Sequence, residues 1–386
     1  MIDASLNSKM KSWRHALHQM PEFGFETFDT AAFIVKKLNE FGIEDIQTGI
    51  GSTGIVATIR CGGSNKAIAL RADMDALMIE EQNSVPYKSL RPGLMHACGH
   101  DGHTTTLLGA AEVLRREGGF DGVIHFIFQP AEEWGKGAQA MVDDNLMDRF
   151  PFEEIWGFHN IPGIPAGHFE TRPGPIMSAE DNFEIVLKGL GGHSSQPHSG
   201  SETLVPACSL IMELQTIISR KVNPSETAVI SVTELTSDGT RNALPGTSVI
   251  SGDVRSFNKK ISMQIQLEIQ KISNAIGLAH DLTVDFKYSN EFIPLINDPE
   301  LTKKSLEVAV GVFGDDKTKI AKEPMTGSED FARFLSNVPG SYAFIGNGLE
   351  SAPLHTPNYD YNDDILKPGA EYLIAVARSR LPDWGV

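Results

Sequence analysis

Cysteine is scarce in this chain: Cys61, Cys98 and Cys208 are the only three among 386 residues. A small, odd number excludes a disulfide framework and predicts a reducing, cytoplasmic setting. Positive charge is also short. Lys and Arg number 33 against 50 Asp and Glu, a formal net charge of −17. That balance excludes nucleic acid and anionic membrane as partners, though not a small anionic substrate, which responds to local field. Long apolar runs are missing, with nothing near the roughly 18 residues of a membrane-spanning helix. The segment from Met1 to Arg14 is polar and lacks the apolar core of a signal peptide. There is no internal repeat and no low-complexity tract. What remains is a globular composition, 41% hydrophobic over 386 residues, which predicts about two domains.

Hydrophobic periodicity predicts a helix over 27–42, strands over 54–60 and 67–72, a helix over 104–116, and strands over 123–128 and 155–158. This alternation is that of an α/β domain. Residues suited to chemistry fall at its strand ends, where open α/β sheets bind ligands. The middle of the chain differs. A strand over 182–188 leads into a Gly-rich loop, followed by a helix over 203–222 and strands over 227–235 and 248–255. A helix over 260–280 and a strand over 282–288 complete it. The order β-α-β-β-α-β is the ferredoxin-like split pattern, which closes its own core. The expectation is therefore a catalytic domain of residues 1–177 plus 293–386, with residues 178–292 inserted. Helices over 301–312, 329–336 and 370–380 and a strand over 342–345 finish the first domain.

Two adjacent carboxylates, Glu132 and Glu133, follow the apolar run Val123–Phe128 and Gln129-Pro130. Cys98 and His100 share a Gly-rich segment, His159 follows a short strand, and His355 lies in irregular sequence. Each has a bland reading alone: a packed Cys, a solvated helix start, a core His. Together, Cys and His with one carboxylate suit zinc, manganese, cobalt or nickel. The second carboxylate is then spare for moving protons, which points to metal-assisted hydrolysis. Cys98 is placed to bridge two ions. Asp75 is a candidate to hold the outer nitrogen of His100, with Asp73 a weaker one and a turn or capping role the alternative. His96 and His103 read as supporting or structural residues.

Five motifs stand in order: Arg71-Ala72-Asp73-Met74-Asp75-Ala76-Leu77, His96-Ala97-Cys98-Gly99-His100-Asp101, Gln129-Pro130-Ala131-Glu132-Glu133, Gly157-Phe158-His159-Asn160 and Thr326-Gly327-Ser328-Glu329-Asp330-Phe331. They closely resemble the di-metal amidohydrolases that include hippurate hydrolase, N-acyl-amino-acid amidohydrolases, auxin-conjugate hydrolases and N-acetyldiaminopimelate deacetylase. Carboxypeptidase G and aminoacylase belong to the wider group, whose His-x-Asp motif is replaced here by Asp73-Met74-Asp75. The resemblance implies a mixed-sheet catalytic α/β domain with an inserted ferredoxin-like α+β lid or dimerisation domain. It implies two divalent metal ions per subunit on Cys98, His100, Glu133, His159 and His355, with Glu132 as proton shuttle. By the same resemblance His193, in Gly192-His193-Ser194-Ser195, stabilises an oxyanion, and Asn242 and Arg255 meet the substrate carboxylate. A surface-loop His and a surface salt bridge are the alternatives for His193 and Arg255.

The expected function is hydrolysis of an N-acyl or N-aroyl amino acid by a cytoplasmic homodimer. Alternatives are a dipeptidase or carboxypeptidase of the same fold and a non-catalytic metal-dependent binding protein.

Overall fold

The apolar runs pair into one mixed sheet of eight strands. The structure, a computed structural model, describes residues 1–383. Across the sheet the strands are Asp45–Ile50, Gly54–Cys61, Gly122–Gln129, Ala67–Asp73, Glu154–Pro162, Gly340–Gly348, Phe169–Thr171 and Thr318–Ile320. The middle pairings, from Gly122–Gln129 across to Gly340–Gly348, are parallel. Antiparallel partners flank them on both sides. Ala67–Asp73 and Gly122–Gln129 are buried at every residue, as parallel strands covered on both faces are. Met10, Leu38, Leu107, Leu114, Leu373 and Val376 bring helix faces onto Ile68, Leu70, Phe126 and Trp156 in one core. Local chemistry starts the first helices. Asp3 accepts the Leu6 N–H at 2.8 Å and caps Ala4–His18. The Glu22 carboxylate accepts from the N–H groups of Asp29 and Thr30 at the start of Phe28–Glu40.

Contacts divide the chain into two units: residues 1–176, 296–324 and 330–386, and residues 177–295 with 325–329. In the second unit, four antiparallel strands lie in the order Ala228–Ser237, Thr247–Ser256, Ala179–Lys188 and Thr283–Phe292. Helices Leu204–Arg220 and Lys259–Ala279 intervene in sequence, giving β-α-β-β-α-β. Phe183, Ile185 and Leu187 point inward onto Leu210, Leu214, Ile265 and Ile269, while Glu184 and Val186 between them stay half-exposed. That alternation is the two-residue strand period.

Several elements differ from the sequence reading. The strand expected over 155–158 runs on to Pro162, so His159 lies within it. The helix expected from Thr104 begins at His100. Of 329–336 only Ala332–Leu335 is α-helical, because Asp330 is drawn to Gln129 and Ala138 through its side chain. Helix Ala4–His18 and strand Asp45–Ile50 carry too much polar sequence to be recognised by pattern. Among the described residues, no helix is long and apolar enough to cross a membrane.

Candidate active site

The parallel strands of the first unit deliver their C-terminal ends to one place. Ala67–Asp73 ends beside Asp75, Gly122–Gln129 runs on to Glu132 and Glu133, and His159 lies in the neighbouring strand. His100 opens the long helix after Cys98 and Gly99. Gly99 has φ 91°, and a side chain there would overlap Asn160 and Tyr359, so this turn requires glycine. Two other site positions also take left-handed backbone: Ala131 (φ 50°), just before the carboxylates, and His355 (φ 61°). Such backbone is uncommon outside glycine and is held here by the surrounding structure. The His355 N–H donates to Ala97 O at 2.9 Å, which fixes its loop to the Cys98 segment.

Cys98 is the hub. Its Sγ lies 3.3 Å from His159 Nε2 and 3.4 Å from His355 Nε2. His355 Nε2 is 3.5 Å from Glu133 Oε2, and His100 Nε2 is 3.8 Å from Glu133 Oε1 and 3.9 Å from Glu132 Oε2. Potential donor atoms converge as Cys98, His100 and His159, and again as Cys98, Glu133 and His355. His159 Nδ1 lies 2.6 Å from the carbonyl of Asn160 and donates to it. Its Nε2 therefore presents a lone pair, the tautomer that a metal ligand needs.

Asp75 does more than face His100, whose Nδ1 it approaches at 3.3 Å. Its two oxygens accept the backbone N–H groups of Glu132 and Glu133 at 3.1 and 3.2 Å, which fixes the carboxylate turn. His103 is fully engaged. Its Nδ1 donates to Asp73 at 2.6 Å and its Nε2 accepts the Asn160 N–H at 3.2 Å, so it supports the site from behind.

Pattern reading did not find the deeper supports. Arg71 donates to Gln129 at 2.8 Å, to Asp73 at 2.8 Å and to Asp330 at 3.2 Å, tying two strand ends together. Asp101, next to His100, lies 3.2 Å from Arg14 Nε and 2.8 Å from His18 Nδ1, all fully buried. The ordered Arg71 and Asp330 motifs were the only sequence signal for the first network. Nothing in the sequence pairs Arg14 or His18 with Asp101.

The electrostatics are those of a site that gathers negative charge. Burial holds the Cys98 thiol well above its ordinary value, and the Glu133 and Glu132 charges add to this. Burial pushes Glu133 up to about 7, partly opposed by His100. Burial alone would lower His100; Asp73, Asp75 and Glu133 outweigh it and raise it to about 10. Burial and the nearby His103 hold His159 well below the usual imidazole. Both ring nitrogens of His100 and Oε1 of Glu133 are buried without a hydrogen-bond partner. Buried polar atoms are rarely left so. With Nδ1 turned toward Asp75, divalent cations would take up His100 Nε2 and Glu133 Oε1 and stabilise the thiolate, so the residues present fit a metal.

In the second unit, the pair Gly192–His193 bridges Ala243–Leu244, and Ser194 N–H donates to Asn242 O at 3.1 Å. His193 and Asn242 are thus neighbours, and both are exposed. The Ser195 N–H donates to His193 Nδ1 at 3.1 Å, which leaves the ring proton on Nε2 and free to donate outward. Arg255 is held by Asp253 at 3.0 Å, Glu180 at 2.8 Å and Ser328 at 2.9 Å, so the ion pairing considered from sequence is present.

Residues 69–379 match Peptidase family M20/M25/M40. The chain is 38% identical over 385 residues to N-acetyl-L-cysteine deacetylase of Bacillus subtilis, covering 98% of this chain and 90% of the relative. It is 36% identical over 373 residues to hippurate hydrolase of Campylobacter jejuni, covering 96% of each. Its structure is similar to that of the YXEP protein of Bacillus subtilis, a dinuclear metal binding peptidase. The TM-score is 0.86 at 29% identity, covering 98% of this chain and 99% of that one.

Proposed function

The chain belongs to Peptidase family M20/M25/M40, and on that footing we propose that it hydrolyses the amide of N-acyl or N-aroyl amino acids to a carboxylic acid and a free amino acid. The observation that carries this reading is the shared Cys98, which belongs to two groups of donor atoms with Glu132 beside them. We assign Cys98, Glu133 and His355 to one divalent cation and Cys98, His100 and His159 to another, of the manganese, zinc, cobalt or nickel class. When bound, such cations polarise the amide carbonyl and acidify a water.

The remaining work falls to the chain. Asp75 steadies the turn through the Glu132 and Glu133 amides. The Glu132 carboxylate takes a proton from the attacking water as its oxygen bonds to the carbonyl carbon. When the carbon–nitrogen bond breaks, Glu132 returns that proton to the leaving amine. His193 carries its ring proton on Nε2 and is assigned to the developing oxyanion. Asn242 and Arg255 are assigned to the substrate carboxylate. Arg255 already carries two carboxylates, which makes Asn242 the stronger of the pair. We assign a homodimer through residues 178–292, with His193 of the partner subunit serving each site.

The test is a panel of N-benzoyl and N-acetyl amino acids with free dipeptides as controls, run before and after chelation. Turnover of the acylated compounds, lost with the metal and restored by adding it back, is expected. Metal-loaded protein inactive on every acylated compound, or activity that survives complete metal removal, refutes the reading.

A further inference from the structure

The turn that carries Glu132 and Glu133 also carries an aromatic side chain that the reaction above leaves unused. Trp134 follows the two carboxylates directly and remains 36% exposed. Ala131 (φ 50°) and Gly135 (φ 64°) bracket Glu132-Glu133-Trp134 in left-handed backbone. Gly135 N–H donates to Glu132 O at 2.7 Å, and Gly137 N–H donates to Ala131 O at 3.1 Å. The carboxylates and the indole therefore share one rigid frame.

A second segment of the same unit is built to receive the indole. Glu22 O accepts the Ala76 N–H at 2.7 Å, and Gly24 O accepts the Ala131 N–H at 3.1 Å. Residues 22–24 are thereby joined both to the segment after Asp75 and to the carboxylate turn. Gly24 has φ 58°, and any side chain there would overlap the Trp134 ring. Phe23 and Phe25, both half-buried, stand edge-on to Trp134 with ring centroids 5.0 and 5.6 Å away. Edge-on packing of this kind fixes an aromatic ring in place. The result is a braced, partly open aromatic surface on the turn that carries the proton shuttle. The substrate carboxylate is already assigned to Asn242 and Arg255. The uncharged acyl half suits the surface.

Resting on the amidohydrolase reading, we propose that Trp134, braced by Phe23 and Phe25, is the surface on which the substrate's acyl group packs, and that it selects aryl acyl groups over acetyl. An aryl ring against the indole covers apolar surface on both partners and gains a ring–ring contact. An acetyl methyl covers little of it. Trp134 is thus a specificity-determining residue.

The test reads binding without turnover. Metal-loaded Glu132→Gln protein is titrated calorimetrically with the N-benzoyl and N-acetyl derivatives of one amino acid. The benzoyl compound should bind about tenfold more tightly or better, from one aromatic contact plus burial. Adding Trp134→Ala should level the two affinities. So should Trp134→Leu, which keeps bulk without a ring and covers the case in which the alanine variant does not fold. Trp134→Phe should retain most of the preference. Equal affinities in the parent, or a benzoyl preference that survives both the alanine and leucine changes, overturn the proposal. Failure of the unsubstituted, metal-loaded protein to hydrolyse any acylated compound of the wider panel overturns the amidohydrolase reading instead, and the binding preference is read separately from it.

Discussion

Raising the pH should loosen this fold through one buried imidazole. His18 is fully buried, with Nδ1 2.8 Å from Asp101 and Nε2 3.3 Å from Glu81. Burial alone would depress its pKa; the hydrogen bonds to Asp101 and Glu81 outweigh burial and raise it to about 9. The folded protein therefore holds this proton more tightly than the unfolded chain, where a histidine titrates near 6.5. The stabilisation is complete below about pH 6.5 and disappears as the pH rises through about 9. The shift corresponds to roughly 3 kcal/mol, a large share of ordinary domain stability. Arg14 stays charged and Asp101 is held well below the usual carboxylate range, so neither titrates in this window. The assay is urea unfolding of wild-type and His18→Gln protein at steps from about pH 6 to about pH 10. The difference between the two should be large at the acid end and shrink toward the alkaline end. A difference that stays flat across the range refutes the argument.

Glu132→Gln should keep its bound metal and its fold while turnover falls about 10²- to 10⁴-fold, the span of general acid–base catalysis. Glu133→Gln and Cys98→Ala should instead lose metal, which elemental analysis of the purified variants decides; the opposite pattern for the two glutamates would show their roles exchanged. Gly99→Ala should cost at least about 1 kcal/mol of stability in denaturant melts, because the residue holds φ 91° against Asn160 and Tyr359. Mixed dimers of His193→Ala and Glu132→Ala subunits should regain activity that neither parent has, since one site then has both groups intact. Verified mixed dimers as inactive as their parents would remove the cross-subunit assignment.

The residues that converge on Cys98 were open to sequence reasoning because each stands by a feature visible locally. Glu132 and Glu133 follow a strand and a proline, Cys98 and His100 flank a glycine, and His355 sits between prolines. Chemistry concentrated at strand ends can be read without knowing which strands pair. The supports could not be read that way. Arg14 and Asp101 are far apart in sequence, and only the packing of helix Ala4–His18 brings them together. Asp75 is similar: the residue stands out at a strand end, but its grip on the Glu132 and Glu133 amides depends on a backbone turn that no side-chain pattern encodes. Strand Asp45–Ile50 was hidden because an edge strand exposed along most of its length shows no apolar alternation. The short helix at Ala332 shows tertiary contacts, here those of Asp330, overriding local propensity.

The strand Gly340–Gly348 lies between Glu154–Pro162 and Phe169–Thr171, yet it follows the whole of residues 177–295 in the chain. A ribosome therefore finishes the second unit before it makes the strand that fills the middle of the first unit's sheet. His355 emerges later still, long after Cys98, His100, Glu133 and His159 have left the exit tunnel. Loading of the assigned cation on Cys98, Glu133 and His355 is then an event of the nearly complete chain. Until Gly340–Gly348 is made, the side of Glu154–Pro162 away from Ala67–Asp73 has no partner strand, the kind of edge to which foreign strands attach.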